Sequence, residues 1–383
     1  MTRRLVILTE IISPYRIPLF NALAKQAGVN PYIIFLAETD PSLRQWRVYK
    51  EEIRFPYQIL PSWRKRLHGY NVLLNRGVAR AMSAASPDVI LCGGYSYVAS
   101  WQTLFWGRSR NIPVLLWSES NLHELRQGHL LVESLKTEFL RRCNGFVVPG
   151  QSAREYLRAY KIKENVIFTA PNAVDNDLFA AEAAVARKNE AVYRRELDLP
   201  PRYFLFAGRL VREKGVFDLL SAYAKLGQQV RQQIGLVFVG DGAARLQLEK
   251  QAASISPGPI KFIGFAQREQ LTKYYAFAEI LVLPTYTDSW GLVVNEAMAC
   301  GLPVILSRAA GCAADLVKEN WNGLLVPPRD VSALTSAMTI LANQPDLRAM
   351  MGARAVQDIS QYSPEQWARA IAGTVRTTAE TSD

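Results

Sequence analysis

Short apolar, branched runs recur from one end of the chain to the other, each closed by a turn signal and followed by a segment of helical spacing. This alternation is the grammar of parallel β-α-β units and leaves few other folds open. In the first half, strands are expected at Leu5–Leu8, Tyr32–Leu36, Asp88–Leu91, Pro113–Trp117, Phe146–Val148 and Val166–Thr169. In the second half they fall at Tyr203–Phe206, Leu236–Val239, Ile260–Ile263, Ile280–Leu283, Pro303–Leu306 and Leu324–Val326. Runs that are apolar on both faces suit sheets covered by helices on both sides.

Between the halves, Pro171–Pro201 holds Pro171-Asn172, a polar, alanine-rich stretch and Pro200-Pro201, without a strand of its own, and reads as the interdomain linker. The 383 residues thus divide into domains at 1–178 and 179–360 and a terminal helix and tail at 361–383. Ser363 as N-cap and Gln366 three residues on make a capping box for that helix, expected to run to about Val375. The fold class is α/β, with two doubly wound domains facing each other across a cleft. Such sheets bind ligands beyond the carboxyl ends of their strands.

No apolar run reaches the roughly 18 to 20 residues of a membrane-spanning helix, and Met1 to Leu8 reads as a basic lead into a strand, not as a signal peptide. A cytoplasmic location is expected. Cys92, Cys143, Cys300 and Cys312 show no CxxC pairing, and the only histidines are His68, His123 and His129, so no metal site is expected. Lys and Arg number 45 against 34 Asp and Glu, a formal +11. Residues 1–170 hold 23 bases against 12 acids and residues 171–383 hold 22 against 22, so the whole excess lies in the first half. One half therefore faces something anionic, such as a phospholipid surface or a phosphorylated substrate. Zinc-finger, basic-zipper and RNA-binding aromatic patterns are absent, which argues against nucleic acid.

In the second half, Ala207-Gly208-Arg209-Leu210-Val211-Arg212-Glu213-Lys214-Gly215 links a buried strand to a helix. A glycine for close approach, a guanidinium and a mobile ammonium are what a diphosphate needs, although a solvated loop would read the same way. Val239-Gly240-Asp241-Gly242 is a weaker strand-to-turn signal. The segment from Leu283 through Asp288, Ser289, Trp290 and Gly291 to Gly301 ends a strand, turns, and opens a helix whose positive end is a ready phosphate site. Glu296 sits in that otherwise apolar helix, where a carboxylate is costly unless paired or hydrogen-bonded.

These residues carry a resemblance. Gly208-Arg209 with Lys214, the segment from Asp288 to Glu296, the run Glu296-Ala-Met-Ala-Cys-Gly-Leu-Pro-Val-Ile305 and Pro171-Asn172-Ala173-Val174-Asp175 resemble the retaining nucleotide-sugar transferases of glycosyltransferase family 4. The match is dense over 200–330 and thinner elsewhere. It implies the GT-B fold, an acceptor-side domain first and a donor-side domain second, with the last helix crossing back to the first. It also implies that Glu296 holds the donor ribose, that Arg209 and Lys214 neutralise the diphosphate, and that Asp288 lies near the donor sugar. The donor-side set is Gly208, Arg209, Lys214, Gly264, Phe265, Asp288, Ser289, Trp290, Gly291, Leu292 and Glu296. Here Asp288 is one methylene shorter than the family's glutamate, and Ser289-Trp290 replace its usual Gly-Phe. The implied activity is sugar transfer from a nucleotide-diphosphate sugar, the co-substrate, to an acceptor hydroxyl of a glycan or lipid-linked acceptor. It proceeds with retention and without metal, cofactor or an assigned nucleophile.

On the acceptor side, Trp117-Ser118-Glu119-Ser120-Asn121-Leu122-His123-Glu124 follows a strand and is expected to open a helix. Glu119 and His123 are the candidates to orient or deprotonate an acceptor hydroxyl; equally, Ser120 or Asn121 could only cap that helix. Gly93-Gly94-Tyr95 and Pro14-Tyr15-Arg16 also follow strands and are placed to line the cleft. Asp175-Asn176-Asp177 forms a DxD, but Asx residues after Pro171-Asn172 more often make turns. Trp63-Arg64-Lys65-Arg66-Leu67-His68, with Val72, Leu73, Leu74, Arg76 and Arg80, mixes bases with apolar anchors. It reads either as a face lying on an anionic membrane or as a basic helix packed on a sheet. Competing readings are a nucleotide-sugar 2-epimerase and a catalytically weakened nucleotide-sugar binder; a dehydrogenase lacks its G-x-G-x-x-G.

Overall fold

The computed structural model describes residues 2–40, 45–67, 70–122 and 130–380. The chain divides into two compact units, Met1–Val174 with Pro364–Asp383, and Asp175–Ser363.

The first unit is built on β1 (Arg3–Thr9), β2 (Val29–Phe35), β3 (Tyr57–Ile59), β4 (Ser62–Leu67), β5 (Tyr70–Asn75), β6 (Val89–Cys92), β7 (Val114–Trp117), β8 (Gly145–Val148) and β9 (Ile167–Thr169). Seven of these form a parallel sheet in the order β3-β2-β1-β6-β7-β8-β9. Chain direction across the sheet reverses between β1 and β6, where the loops that follow these strands diverge and leave room for a ligand. The interior strands β6, β7 and β8 are buried at every position, as strands covered on both faces must be.

The last helix, Pro364–Glu380, belongs to this first unit. Trp367, Ala368, Ile371, Ala372 and Val375 recur at helical spacing, are all buried, and pack against the helix Ile17–Ala24. The Trp367 ring lies 5.9 Å from that of Phe20 and 5.3 Å from that of Trp117. Each large side chain buried this way contributes about 1.5–3 kcal/mol. The chain's end is thereby tied to its beginning.

The second unit contains β10 (Tyr203–Ala207), β11 (Gly235–Val239), β12 (Ile260–Gly264), β13 (Ile280–Leu283), β14 (Val304–Ser307) and β15 (Gly323–Val326). They form a parallel sheet in the order β12-β11-β10-β13-β14-β15, with its reversal between β10 and β13. All twelve strands expected from the sequence are present.

Two expectations are corrected. Most of the stretch read as a linker is helical, Asn176–Lys188 and Glu190–Glu196, and belongs to the second unit. Its alanine, glutamate and arginine content favours helix once Pro171-Asn172 is passed. Asp175 caps the first of these helices, its carboxylate accepting from the Leu178 N–H at 3.0 Å, and the Asn176 amide donates to the carbonyls of Ile359 and Tyr362. The basic segment around Trp63 is no helix: β4 and β5 pair antiparallel, Trp63 opposite Leu74 and Arg64 opposite Leu73. Most of the segment in which a helix is expected to open after Ser120 lies outside the described residues, beyond which the helix Leu130–Arg142 is described. Among the described residues no helix is long and apolar enough to cross a membrane.

Candidate active site

At the reversal of the second sheet, the loops after β10 and β13 are stitched together. Gly215, with φ +67°, opens the helix Val216–Lys225, and a Cβ there would stand 2.0 Å from the Pro284 carbonyl oxygen. The Tyr286 N–H and the Thr285 hydroxyl both donate to the Glu213 carbonyl, at 2.8 and 3.1 Å. On the other flank, a Cβ at Gly240 would lie 1.9 Å from the Gly208 oxygen, so β11 can close on this loop only with glycine. Leu210 is fully buried and anchors the loop from beneath.

This leaves the cations of the loop at the carboxyl edge of the sheet. Lys214 pairs with Asp288, both about four-fifths buried, and the second Asp288 oxygen accepts from the Trp290 N–H at 3.4 Å. Arg209 is exposed and makes no ion pair among the described residues. Arg209, Lys214, Gly208 and Asp288 thus belong to one stitched pair of loops. Gly291 caps the helix Leu292–Ala299 with φ +99°, aiming its positive end at the same edge. Gly264, with φ +89°, accepts the Gly240 N–H through its carbonyl, and Phe265 beside it is exposed.

Two donor-side residues sit differently from a surface ligand. Trp290 is buried, its indole N–H donating to the Asn295 side chain at 2.9 Å. The larger aromatic thus brings a donor, and Asn295, itself fully buried, satisfies it. Glu296 is also fully buried, and one of its carboxylate oxygens accepts from the Tyr275 hydroxyl at 2.6 Å.

In the first unit, the loops after β1 and β7 and the turn after β9 converge on one carboxylate. Glu119 accepts from Arg16 at 3.2 Å on one oxygen and from the Asn172 amide at 2.8 Å on the other. Arg16 also donates to the Thr9 hydroxyl and stacks 4.3 Å above the Trp117 ring. Tyr15 meets Trp46 edge-on at 6.2 Å, and Pro14 precedes it in the same loop. Gly93 lies against β1, its N–H donating to the Leu8 carbonyl at 2.7 Å, and Gly94 takes φ +123°. His123 lies outside the described residues.

Sequence reasoning missed the second polar cluster of this unit. Lys136 is buried, pairs with Glu133 at 2.9 Å, and lies 4.9 Å from the Tyr160 ring centre. Burial disfavours its charge, yet hydrogen bonds with Tyr160, Glu133 and Tyr156 outweigh that and raise the Lys136 pKa. Burial likewise raises the pKa of Tyr95, which hydrogen-bonds Tyr156 and Ser120. The network therefore runs from the helix Leu130–Arg142 to the loop that carries Glu119. Asn172 was missed as well, although it follows β9 as Glu119 follows β7, and the same strand-end rule would have found it. A cavity of about 390 Å³ elsewhere in the second unit is lined by Arg187, Arg194 and Arg348, but these donate to backbone carbonyls and glutamates and leave no free cation for a ligand.

Comparison with known proteins agrees with the two-unit division. Residues 19–178 match the family profile described as Glycosyltransferase Family 4, and residues 189–358 match that of Glycosyl transferases group 1. A D-inositol 3-phosphate glycosyltransferase of Corynebacterium jeikeium is 32% identical over 231 residues, 58% of this chain and 54% of that protein. Sulfoquinovosyl transferase SQD2 of Arabidopsis thaliana is 31% identical over 161 residues, 41% of this chain and 30% of that protein. The chain spans about half the length of the curated relatives it matches. Among solved structures, Anabaena HepE in complex with UDP superposes with a TM-score of 0.76 at 16% identity, covering 98% of this chain and 100% of that one. At that identity the likeness is one of fold, the GT-B architecture of two parallel-sheet domains.

Proposed function

Since this chain belongs to glycosyltransferase family 4, we propose that it transfers a sugar, with retention and without a metal, from a nucleotide-diphosphate sugar to an acceptor hydroxyl. The observation that carries this reading is the pair of stitched loops after β10 and β13, which present an exposed Arg209 and an ion-paired Lys214 beside a glycine-capped helix. In the transfer, the bond from the anomeric carbon to the diphosphate oxygen breaks and the electron pair leaves with the diphosphate. The acceptor oxygen bonds to that carbon on the same face, and its proton passes to the departing phosphate. Arg209 and Lys214 stabilise the charge that develops on the leaving group, which is where catalysis of this kind gains most. Lys214 exchanges its Asp288 partner for phosphate oxygens, and Asp288 is then placed beside the sugar.

Glu296 keeps the ribose-holding role that the resemblance carries, with Tyr275 fixing one of its oxygens. A uridine diphosphate donor is favoured by the ligand in the Anabaena HepE structure. Glu119, held by Arg16 and Asn172, orients a hydroxyl of a glycan or lipid-linked acceptor. The basic excess of residues 1–170 supports a cytoplasmic protein that meets an anionic lipid surface peripherally through its first unit.

The test is thermal unfolding with a panel of nucleotide sugars, followed by product analysis with and without acceptor. A true donor at about 100 times its Kd stabilises by about 2.7 kcal/mol. Conversion of the donor sugar itself, without acceptor, would replace transfer by 2-epimerisation. Binding without turnover would leave a nucleotide-sugar binder.

A further inference from the structure

We infer that the outward face of the β4–β5 hairpin, together with the helix Leu130–Arg142, is the surface by which the first unit docks on an anionic phospholipid bilayer. The inference rests on the membrane part of the proposed function and is independent of its donor chemistry. Strand alternation sends Arg64 and its neighbour Leu73 inward. Arg64 pairs with Asp40 and Glu10, Leu73 is buried, and the Asn75 amide donates to the Leu36 carbonyl at 2.6 Å. A two-stranded ribbon is marginal alone, so these contacts make it a rigid appendage of the sheet.

The same alternation turns Trp63 and Lys65 outward on β4, opposite Leu74 and Val72 on β5. Trp63 is 53% exposed and Leu74 41%. β5 packs on the helix Val98–Arg108, whose Trp101 stacks edge-on with Phe139 of the helix Leu130–Arg142 at 5.0 Å. On that last helix, Val132 and Leu135 are more than half exposed on one side, while Lys136, Phe139 and Leu140 are buried on the other. Among the described residues, every exposed large apolar side chain of the first unit lies between Trp63 and Leu135. Trp63 and Leu74, directly opposite across the ladder, form one contiguous exposed apolar pair, and exposure of this kind marks an interaction surface.

Charge selects the occupant. Lys65 on the hairpin face and Arg76 and Arg80 just beyond β5 are exposed bases, and they lie in the half of the sequence that carries the whole basic excess. A hydrophobic protein partner would not call for it. Tryptophan favours the membrane–water boundary, with apolar side chains entering below it and bases meeting lipid phosphates.

Co-sedimentation of the full chain with vesicles of phosphatidylcholine mixed with phosphatidylglycerol, and of phosphatidylcholine alone, tests this. Binding is expected only to the mixed vesicles and should weaken as salt rises. Lys65→Gln should weaken it about fivefold, corresponding to about 1 kcal/mol per base. Trp63→Ser with Leu74→Ser, and Val132→Ser with Leu135→Ser, should each weaken it about tenfold or more. Leu246→Ser, an exposed apolar position of the second unit, should change nothing. Stabilisation by UDP should survive in all variants, which separates loss of docking from loss of the donor site. Equal binding to both vesicle types, or unchanged binding by the hairpin and helix variants, would overturn the inference. So would a wild-type self-association that the same variants abolish, because the face would then join two copies of the chain.

Discussion

Gly215→Ala tests whether the loops after β10 and β13 really close on each other, and the structure sets its magnitude. The residue sits at φ +67°, where an L side chain costs about 1–2 kcal/mol. An added Cβ would stand 2.0 Å from the Pro284 oxygen and 2.8 Å from its carbonyl carbon, both backbone atoms that cannot rotate away. Relieving that overlap by moving the end of β13 adds about 1–3 kcal/mol. Gly301 in the same unit separates the two effects: it takes φ +83°, but its added Cβ would meet only a Val356 methyl at 3.7 Å. Gly301→Ala should therefore cost about 1–2 kcal/mol, and Gly215→Ala about 2–5 kcal/mol. In thermal unfolding of the full chain, a unit of this size loses about 2–4 °C per kcal/mol. Forcing the loops apart also displaces Lys214, so UDP should stabilise the Gly301→Ala protein normally and the Gly215→Ala protein weakly or not at all. Equal losses in both variants would refute the close approach. A full UDP response in Gly215→Ala would refute the placement of the diphosphate on this loop.

The remaining predictions concern chemistry. Lys214→Met and Arg209→Ala should each lower kcat by about 10² to 10³, Arg209→Ala with an undisturbed melting temperature and Lys214→Met with a lowered one because it leaves the mostly buried Asp288 without its cation, and near-normal turnover in both would remove them from leaving-group stabilisation. Transfer should persist in excess chelator, because these cations and the Gly291 helix end supply the charge a divalent ion would otherwise bring. Loss of activity with rescue by manganese would return attention to Asp175 and Asp177. Burial pushes the Cys92 thiol up to about 12 and raises Cys300 and Cys312 as well. At pH 8, Cys92 is then about one part in ten thousand thiolate, so a thiol reagent should leave these three untouched until the chain unfolds; prompt labelling of the native protein at any of them would contradict this burial.

The strand pattern was legible because it records burial, a property each segment carries locally. A strand covered on both faces must be apolar throughout, so β6, β7, β8 and β10 announce themselves as short unbroken runs. Glycines at the strand ends and cations in the following loops then marked the sheet edge where ligands bind. The segment around Trp63 hid its structure because three bases in succession mask alternation. Arg64 can point inward only since Asp40 and Glu10, far away in sequence, neutralise it. Glu119 stood out by its position after β7, whereas the donors that hold it, Arg16 and Asn172, are 103 and 53 residues distant.

By itself, then, the sequence determined the two parallel sheets, their order of strands and helices, and the residue types at the strand ends. The folded chain alone decided which side chains become partners. It set Lys214 on Asp288, sealed Glu296 beneath Tyr275, satisfied Trp290 with Asn295, and returned Trp367 to Phe20 and Trp117. The division is physical: periodic burial acts within a few residues, while pairing across a sheet edge depends on the closure of the whole unit.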